Sequence, residues 1–297
     1  MLSHGLRHTS GEGTQRGFLS FAVGLLTVFA LAACQPSMTP GIELGEQTSG
    51  IVNGVEATGS EPFITSVVGI ASKKPDGQFA IFCSGTLISE NIVVTAAHCL
   101  PHVTPNEHYV VFGLNEQNLQ ARRIVRKAAH DKYINWFPAT AKDVYDIGLV
   151  QFSGGLPLGY RPMPMLPDDS ILQPGTEVLM VGYGVNNGMS QTGSGILRYT
   201  FIRIADHHGL TEVKTDELQS GTCNGDSGGP GLIYWNGQYY LWGATSRGDA
   251  RCRNHGIYTK ATAYRSWIEQ KHLEWNTFVA EDEIAASQPV NSYAVGW

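Results

Sequence analysis

The segment "TCNGDSGGPG", residues 222–231, surrounds one serine with an aspartate and four glycines. A serine hydroxyl is almost fully protonated near neutral pH, so it attacks a carbonyl only when a base removes its proton as the new bond forms. The glycines would let the backbone turn tightly around that hydroxyl. The segment therefore predicts that Ser227 is a nucleophile, which requires a base and an acid elsewhere in the chain.

The base is expected to be a histidine, because imidazole titrates near the working pH. Of the ten histidines, His98 in "VVTAAHCL" stands apart, since it ends an apolar strand and precedes Cys99. A disulfide at Cys99 would fix the backbone beside the base. A lone histidine at a strand end is more often structural, so position alone makes His98 a candidate only.

The acid must be buried if it is to hold the imidazole's tautomer and stabilise its charged form. Asp146 in "YDIGLVQF" opens a strongly apolar strand, where a carboxylate without a partner is costly. Asp143 lies in a more polar stretch and is the weaker candidate. Taken by itself, Asp146 could equally well end a turn.

The composition narrows the class of protein. The chain has 297 residues, a net charge of −6 with histidine neutral, and no basic run, which argues against a nucleic-acid partner. Its 35 glycines and its low charge, without a fixed-period repeat, favour an all-β fold with many tight turns.

The first 34 residues differ in composition from the rest of the chain. Arg7 and Arg16 precede the run "FLSFAVGLLTVFALAAC", whose apolar part is shorter than the roughly 20 residues of a membrane-spanning helix, so residues 1–34 are predicted to be a signal peptide. Its end resembles the lipobox of bacterial lipoproteins, which implies cleavage before Cys34 and a lipid anchor on that thiol. A simple secretory signal or an N-terminal anchor is the alternative. Each version predicts an extracytoplasmic protein, either a cell-envelope lipoprotein or a secreted one.

The number of cysteines, five, is consistent with export from the cytoplasm. With Cys34 set aside, the remaining four can form two disulfides in an oxidising compartment, in any of three pairings. Metal binding is the competing interpretation, but the chain has no CxxC or HExxH spacing, and we expect neither metal nor cofactor.

The rest of the chain divides by composition. Residues 35–50 are rich in Pro, Gly and Ser and are predicted to be a pro-segment or linker. Two groups of about six short β-rich runs then flank the proline-rich "LPLGYRPMPMLPDD", which favours two barrels or sandwiches in tandem. One helix is predicted over about 263–275, with Tyr264, Trp267, Ile268 and Leu273 on one face, and then a loosely held tail, 276–297.

The sequence resembles the chymotrypsin-like (trypsin-type) serine peptidases over about residues 51–275. The matching segments occur in the family's order: "IVNG" (51–54), "CSGTLIS" (83–89), "TAAHC" (95–99), "DIGLV" (146–150), "GYG" (182–184), "GDSGGP" (225–230), "GIYTK" (256–260) and "YRSWI" (264–268). The resemblance implies an all-β fold of two perpendicular six-stranded antiparallel barrels, about 51–155 and 168–262, with a C-terminal helix and the active site in the cleft between them.

The resemblance also implies the roles of the site residues. Ser227 would be the nucleophile, His98 the general base and then the acid, and Asp146 the residue that orients the imidazole. The amides of Gly225 and Ser227 would form the oxyanion hole. The protein would be a monomeric serine endopeptidase acting on proteins or peptides.

Activation and disulfides follow from the same resemblance. Cleavage before Ile51 by an activating protease would free an ammonium that pairs with Asp226, so the uncut chain would be a zymogen. Most relatives are cut after Arg or Lys, whereas Gly50 stands here. The implied disulfides are Cys83–Cys99 and Cys223–Cys252. The calcium loop of some relatives is expected to be absent, because "FGLNEQNLQARR" leaves little room for it between strands.

The walls of the primary specificity pocket would be Gly221, Thr222, Ser246, Gly248 and Gly256. An Asp at position 221 would attract Lys or Arg, and its absence, with two open glycine walls, predicts a preference for large apolar side chains.

Two neighbours of these walls bear on that preference. Arg247 replaces an aromatic residue usual in the family, and Asp249 would draw a basic residue if its side chain turned inward. Ser246 is expected to donate a hydrogen bond to Asp146.

Three other functions fit the sequence less well. One is a purely structural role as an envelope lipoprotein, which would leave the coincidence of the motifs unexplained. A catalytically silent peptidase fold that serves as a binding protein of the cell envelope would keep the fold but lose His or Ser, and both are present. An α/β-hydrolase esterase would need a GxSxG elbow and the order Ser, Asp, His, whereas this chain has the order His, Asp, Ser.

Overall fold

The computed structural model of the protein describes residues 51–138 and 140–287, and for residues 277–287 it describes the backbone only. The predicted signal peptide, the lipidation at Cys34 and the pro-segment 35–50 lie outside the described residues. No helix in the described ranges is both long enough and apolar enough to span a bilayer.

The first half of the described chain forms a closed barrel of six antiparallel strands. Their order around the barrel is β2-β3-β4-β7-β6-β5, and β5 pairs with β2 to close the ring. Neighbours in this order are also neighbours in sequence, except at the pairs β4–β7 and β5–β2. The strands are β2 (Val67–Lys73), β3 (Phe79–Leu87), β4 (Ile92–Thr95), β5 (His108–Phe112), β6 (Gln120–Ala129) and β7 (Gly148–Phe152).

The second half forms another closed antiparallel barrel. Its strands are β8 (Glu177–Gly182), β9 (Arg198–His207), β10 (Glu212–Asp216), β11 (Pro230–Trp235), β12 (Gln238–Gly248) and β13 (Gly256–Lys260). Their order is β9-β10-β13-β12-β11-β8, and pairing of β8 with β9 closes the ring. A two-residue strand, β1 (Val55–Glu56), pairs with the start of β9. The predicted fold class is confirmed.

Each barrel has a core of its own because alternate strand residues face inward, as β9 shows most clearly in its alternating burial. Val110, Phe112, Val150 and Phe152 belong to the first core. Trp242 is fully buried in the second core, where its ring centroid lies 5.8 Å from that of Tyr258.

A third apolar cluster joins the two barrels. Its members include Val67, Val94, Val111 and Leu149 of the first barrel and Leu179, Val181, Tyr183, Leu232 and Leu241 of the second. Because both barrels bury side chains in this shared cluster, its desolvation fixes their relative position and hence the cleft between them.

The C-terminal helix differs from its prediction. After a 3₁₀ turn over Ala261–Tyr264, α1 extends over Arg265–Ser287, well past the expected end at about 275. The segment "AEDEIAA" that continues it consists mostly of strong helix formers. The predicted apolar face was wrong at Leu273, which is 70% exposed, because Trp275, seven residues after Ile268, lies on the buried side instead.

Two disulfides brace the barrels. Cys83 of β3 is bonded to Cys99, and Cys223 is bonded to Cys252. This is the pairing that the family resemblance implied.

The two tryptophans Trp242 and Trp136 provide a matched test of the second core. Trp242→Ala is expected to lower the free energy of unfolding by about 3–5 kcal/mol, because it removes a fully buried ring and leaves a cavity. Trp136 is 79% exposed, so Trp136→Ala should change it by less than about 0.5 kcal/mol. Urea unfolding followed by circular dichroism measures both, and equal losses would contradict the assignment of Trp242 to the core.

Candidate active site

His98 lies in a 3₁₀ turn, Ala97–His102, that follows β4. The turn is fixed from both sides, since Cys99 is bonded to β3 through Cys83 and the backbone N–H of His98 donates to Asp146 Oδ1 at 2.9 Å. The imidazole Nδ1 lies 2.8 Å from Asp146 Oδ2. Asp146 therefore holds both the backbone and the ring of His98.

Asp146 precedes β7 and is 1% exposed. Besides the two bonds from His98, its carboxylate accepts a hydrogen bond from Ser246 Oγ at 2.6 Å, as the sequence predicted. Ser246 belongs to β12, so the donors come from both barrels. Three donors offset much of the desolvation cost of a carboxylate buried at this depth.

The pKa of His98 is set by opposing influences. Burial is the largest and lowers the pKa, whereas the hydrogen bond and the negative charge of Asp146 raise it, and the charge of Arg247 lowers it slightly. The net result is a pKa above the ordinary value for histidine. Since the carboxylate bonds Nδ1, a neutral ring would carry its proton there and leave Nε2 free to accept another.

Ser227 lies in the loop before β11 and is half-buried. The loop is hydrogen-bonded to Ser84 of β3, whose N–H donates to the Ser227 carbonyl at 2.8 Å and whose hydroxyl donates to the Gly225 carbonyl at 2.9 Å. Ser227, Gly225 and His98 line the same open cleft, of about 590 Å³. The structure thus brings the predicted nucleophile and base to one cavity.

Two glycines of the loop are required by its geometry. Gly225 has a φ of 98° and Gly228 a φ of 77°, in the left-handed region that favours glycine. A Cβ on Gly228 would overlap Thr95 Oγ1 and lie 2.6 Å from the Ser84 carbonyl oxygen. The loop therefore rests directly on the backbone of the first barrel.

Asp226, next to Ser227, is fully buried. It accepts hydrogen bonds from the backbone N–H groups of Gly184 and Cys223, each at 2.8 Å. Burial raises the pKa of Asp226 to about 7, although these hydrogen bonds lower it.

Ile51 is also fully buried, at the start of the described chain. The next residue, Val52, forms a β-bridge with Gly221 and packs against Val185 and Cys223, which neighbour the groups that bond Asp226. Both members of the predicted activation pair are thus buried, and the residue after Ile51 contacts Cys223, whose N–H donates to Asp226.

Comparison with known proteins agrees with this geometry. The family model described as Trypsin matches residues 51–268. A chymotrypsin from Phaedon cochleariae is 30% identical over 262 residues, which cover 81% of this chain and 86% of that protein. The chain belongs to the trypsin family.

The residues expected to wall the specificity pocket of this trypsin-family chain fall into two groups. Gly221, Thr222, Ser246 and Gly256 are buried, whereas Gly248 is exposed. Gly248 of β12 pairs with Gly256 of β13, so these two lie side by side.

The two charged residues next to the pocket walls, Arg247 and Asp249, both form hydrogen bonds with other groups of the protein. Arg247 forms two hydrogen bonds of 2.8 Å with the carboxylate of Glu212, and its guanidinium lies 5.3 Å from the ring centroid of Phe137. Asp249 accepts from the backbone N–H groups of Arg251, Arg253 and Asn254 within its own loop. The condition for Asp249 to attract a basic residue, a side chain turned inward, is therefore not met.

Glu217 is a residue that the sequence analysis missed. It is 2% exposed and accepts a hydrogen bond of 2.6 Å from the Tyr258 hydroxyl. Burial raises the pKa of Glu217 to about 7. The signal available in the sequence was only an acid four positions before Gly221, too weak to single out without the fold.

The weaker acid candidate, Asp143, has a structural role. Its carboxylate accepts hydrogen bonds from the N–H groups of Leu210 and Thr211 and from the Thr211 hydroxyl. These bonds tie the loop before Asp146 to the turn between β9 and β10.

Among the described residues, one group of three possible metal ligands occurs: Cys83, His98 and Cys99. Both sulfurs are joined in a disulfide, so the group offers no thiolate to a metal ion.

The two aspartates test the origin of the shifted His98 pKa. Asp146→Asn should lower the pKa of His98, because the hydrogen bond to a charged acceptor and the nearby negative charge both disappear. Asp143→Asn is the control, since Asp143 bonds Leu210 and Thr211 instead. NMR titration of the histidine ring signals measures both. An unchanged His98 pKa in Asp146→Asn would contradict this account.

Proposed function

We propose that the protein is an exported serine endopeptidase that cleaves peptide bonds through an acyl-enzyme on Ser227. The observation that carries the proposal is the imidazole of His98, bonded through Nδ1 to the buried Asp146 and exposed to the cleft that Ser227 lines. Membership of the trypsin family supports the same reaction.

In the first step, Ser227 Oγ forms a bond to the carbonyl carbon of the substrate peptide while His98 Nε2 takes the hydroxyl proton. Asp146 keeps the other ring proton on Nδ1 and stabilises the imidazolium that results. The carbonyl oxygen becomes an oxyanion, and the N–H groups of Gly225 and Ser227 are proposed to bind it. Each such donor contributes about 10²–10³ in kcat.

Collapse of this intermediate breaks the C–N bond, and His98 returns its proton to the leaving amine. Water then takes the place of the serine hydroxyl. Its oxygen bonds to the acyl carbon while His98 takes one of its protons, and the bond from that carbon to Ser227 Oγ then breaks as His98 gives the proton back to Oγ. The carboxylic acid product leaves, and Ser227 and His98 are restored to their starting forms.

Activation is proposed to follow cleavage between Gly50 and Ile51. Asp226 is buried, and within the described part of the chain its hydrogen bonds come from backbone amides, a costly setting for a full charge. An ammonium freed at Ile51 would stabilise that charge and order the adjacent oxyanion hole. The proposal includes an activating protease that accepts glycine before the cut.

Export is supported by the two disulfides, which persist in oxidising compartments. With the predicted signal peptide, they fit an extracytoplasmic location. Lipidation of Cys34 belongs to the proposal, and cleavage before Ile51 would release the monomeric peptidase domain from that anchor.

The predicted preference for large apolar side chains assumed a pocket without charge. Glu217 removes that premise, because its carboxylate lies against two of the expected walls.

Ser227 is tested by covalent labelling and turnover together. Ser227→Ala should abolish both peptide hydrolysis and labelling by a phosphonate that reacts with activated serines, because no other hydroxyl is paired with His98 in the proposal. Ser190→Ala, at an exposed serine, is the control and should keep both. A wild-type protein that neither labels nor hydrolyses would instead be a silent binding protein of this fold.

Asp226 tests the activation step. In samples whose N-terminus is shown by sequencing to be Ile51, Asp226→Asn should lower kcat/KM by at least about 100-fold, because the new ammonium loses its buried partner. Asp206→Asn, at an exposed position, should retain activity. Equal activity in processed wild type and Asp226→Asn would refute the pair.

A further inference from the structure

The carboxylate of Glu217 occupies the space between two expected walls of the specificity pocket. A Cβ built on Gly221 would lie 2.5 Å from Glu217 Oε2, and a Cβ on Gly256 would overlap Oε1. The two positions are far apart in sequence, yet their missing side chains point at the same group. A carboxylate thus stands where side chains of the wall would otherwise meet.

Neighbouring polar groups hold the Glu217 side chain in a defined position. The Tyr258 hydroxyl donates to Oε1 at 2.6 Å, and the hydroxyl oxygens of Thr222 and Thr215 lie 3.3 and 3.2 Å from the same atom. Thr222 Oγ1 also lies 2.8 Å from the Tyr258 hydroxyl, so its single proton is directed to one of these two oxygens. The Glu217 backbone N–H donates to the Asn254 carbonyl. The side chain is therefore held in place from three directions.

None of these donors carries a charge. An amide oxygen could accept the same hydroxyl bonds, so the network does not account for a carboxylate rather than a glutamine. Oε2, which lies against Gly221, receives none of the three hydroxyls. A buried carboxylate with only neutral partners is costly unless a cation reaches it.

We propose that Glu217 selects substrates with a Lys or Arg side chain before the scissile bond, the cation pairing with its carboxylate. This inference rests on the proposed function, and it replaces the apolar preference expected from the glycine walls. The charge comes from a chain position other than 221, where the sequence has glycine. Arg247 and Asp249 do not compete for it, since each is bonded elsewhere.

The proposal predicts a pH dependence of selectivity. Burial raises the pKa of Glu217 to about 7, so its ionised fraction grows from about pH 6 to about pH 8. Tyr258, the titratable group in contact with it, stays protonated there because burial raises its pKa well above the ordinary value. The attraction for a cation therefore strengthens as pH rises through this range.

The test uses the full chain, processed to Ile51, and peptides that differ only in having Arg, Lys, Phe or Leu before the cut. The ratio of kcat/KM for Arg over Phe should favour Arg in the wild type and fall by about 100-fold or more in Glu217→Gln, because one partner of a buried charge pair is lost. Glu177→Gln, an exposed glutamate paired with Arg203, is the matched control and should keep the ratio.

The same ratio measured across pH separates charge from shape. His98 affects both substrates alike and cancels, so the wild-type ratio should rise from about pH 6 to about pH 8 and that of Glu217→Gln should stay flat. Circular dichroism shows whether the variant is folded, and titration with the phosphonate gives the concentration of its active sites.

The outcomes are distinguishable. An Arg or Lys preference that Glu217→Gln removes supports the inference. Hydrolysis with a Phe or Leu preference that Glu217→Gln leaves unchanged overturns the inference while the peptidase assignment stands. Absence of both hydrolysis and phosphonate labelling in the wild type overturns the proposed function itself.

Discussion

One buried carboxylate, that of Asp146, governs the geometry of the cleft. It is nearly inaccessible to water, so the fold is tolerable only if hydrogen-bond donors surround it. Those donors are the backbone and ring of His98 from one barrel and the hydroxyl of Ser246 from the other. Asp146 therefore receives all its hydrogen bonds only when the two barrels are correctly positioned relative to each other. The same hydrogen bonds orient the imidazole of His98.

Two further buried acids, Asp226 and Glu217, differ from Asp146 in their hydrogen-bond donors. Asp226 is bonded directly by backbone amides, and Glu217 mainly by hydroxyls, and burial raises the pKa of each to about 7. In each case the hydrogen bonds offset only part of the effect of burial on the pKa. In the proposed function the first receives a cation from the chain's own new terminus and the second from the substrate. Activation and substrate selection would then use the same physical device.

Much of the site could be predicted from sequence because its chemistry depends on residue type and order along the chain. Ser227, His98 and Asp146 lie in short motifs whose surroundings, glycines or apolar strands, are themselves informative. Glu217 could not be predicted, since its meaning depends on Gly221 and Gly256 meeting across the fold. The closed barrels followed from strand and turn patterns with the family resemblance.

The direction of individual side chains was harder to predict, again because it depends on contacts made in the folded chain. Asp249 turns into its own loop because three backbone N–H groups there need an acceptor, a local demand that residue type does not reveal. The buried face of α1 was misjudged by a small angular error, which exchanged Leu273 for Trp275. Both outcomes arise where several arrangements are locally acceptable and the tertiary environment decides between them.

The loop of Ser227 is supported by strands of the opposite barrel, through Ser84 and the close approach of Gly228 to Thr95. In the proposed mechanism, neither barrel therefore holds a complete set of reacting groups. A small separation of the two barrels would move Ser227 away from His98 while every strand stayed paired. Under that mechanism, catalysis depends on the interface between the barrels and would be lost before either barrel unfolded.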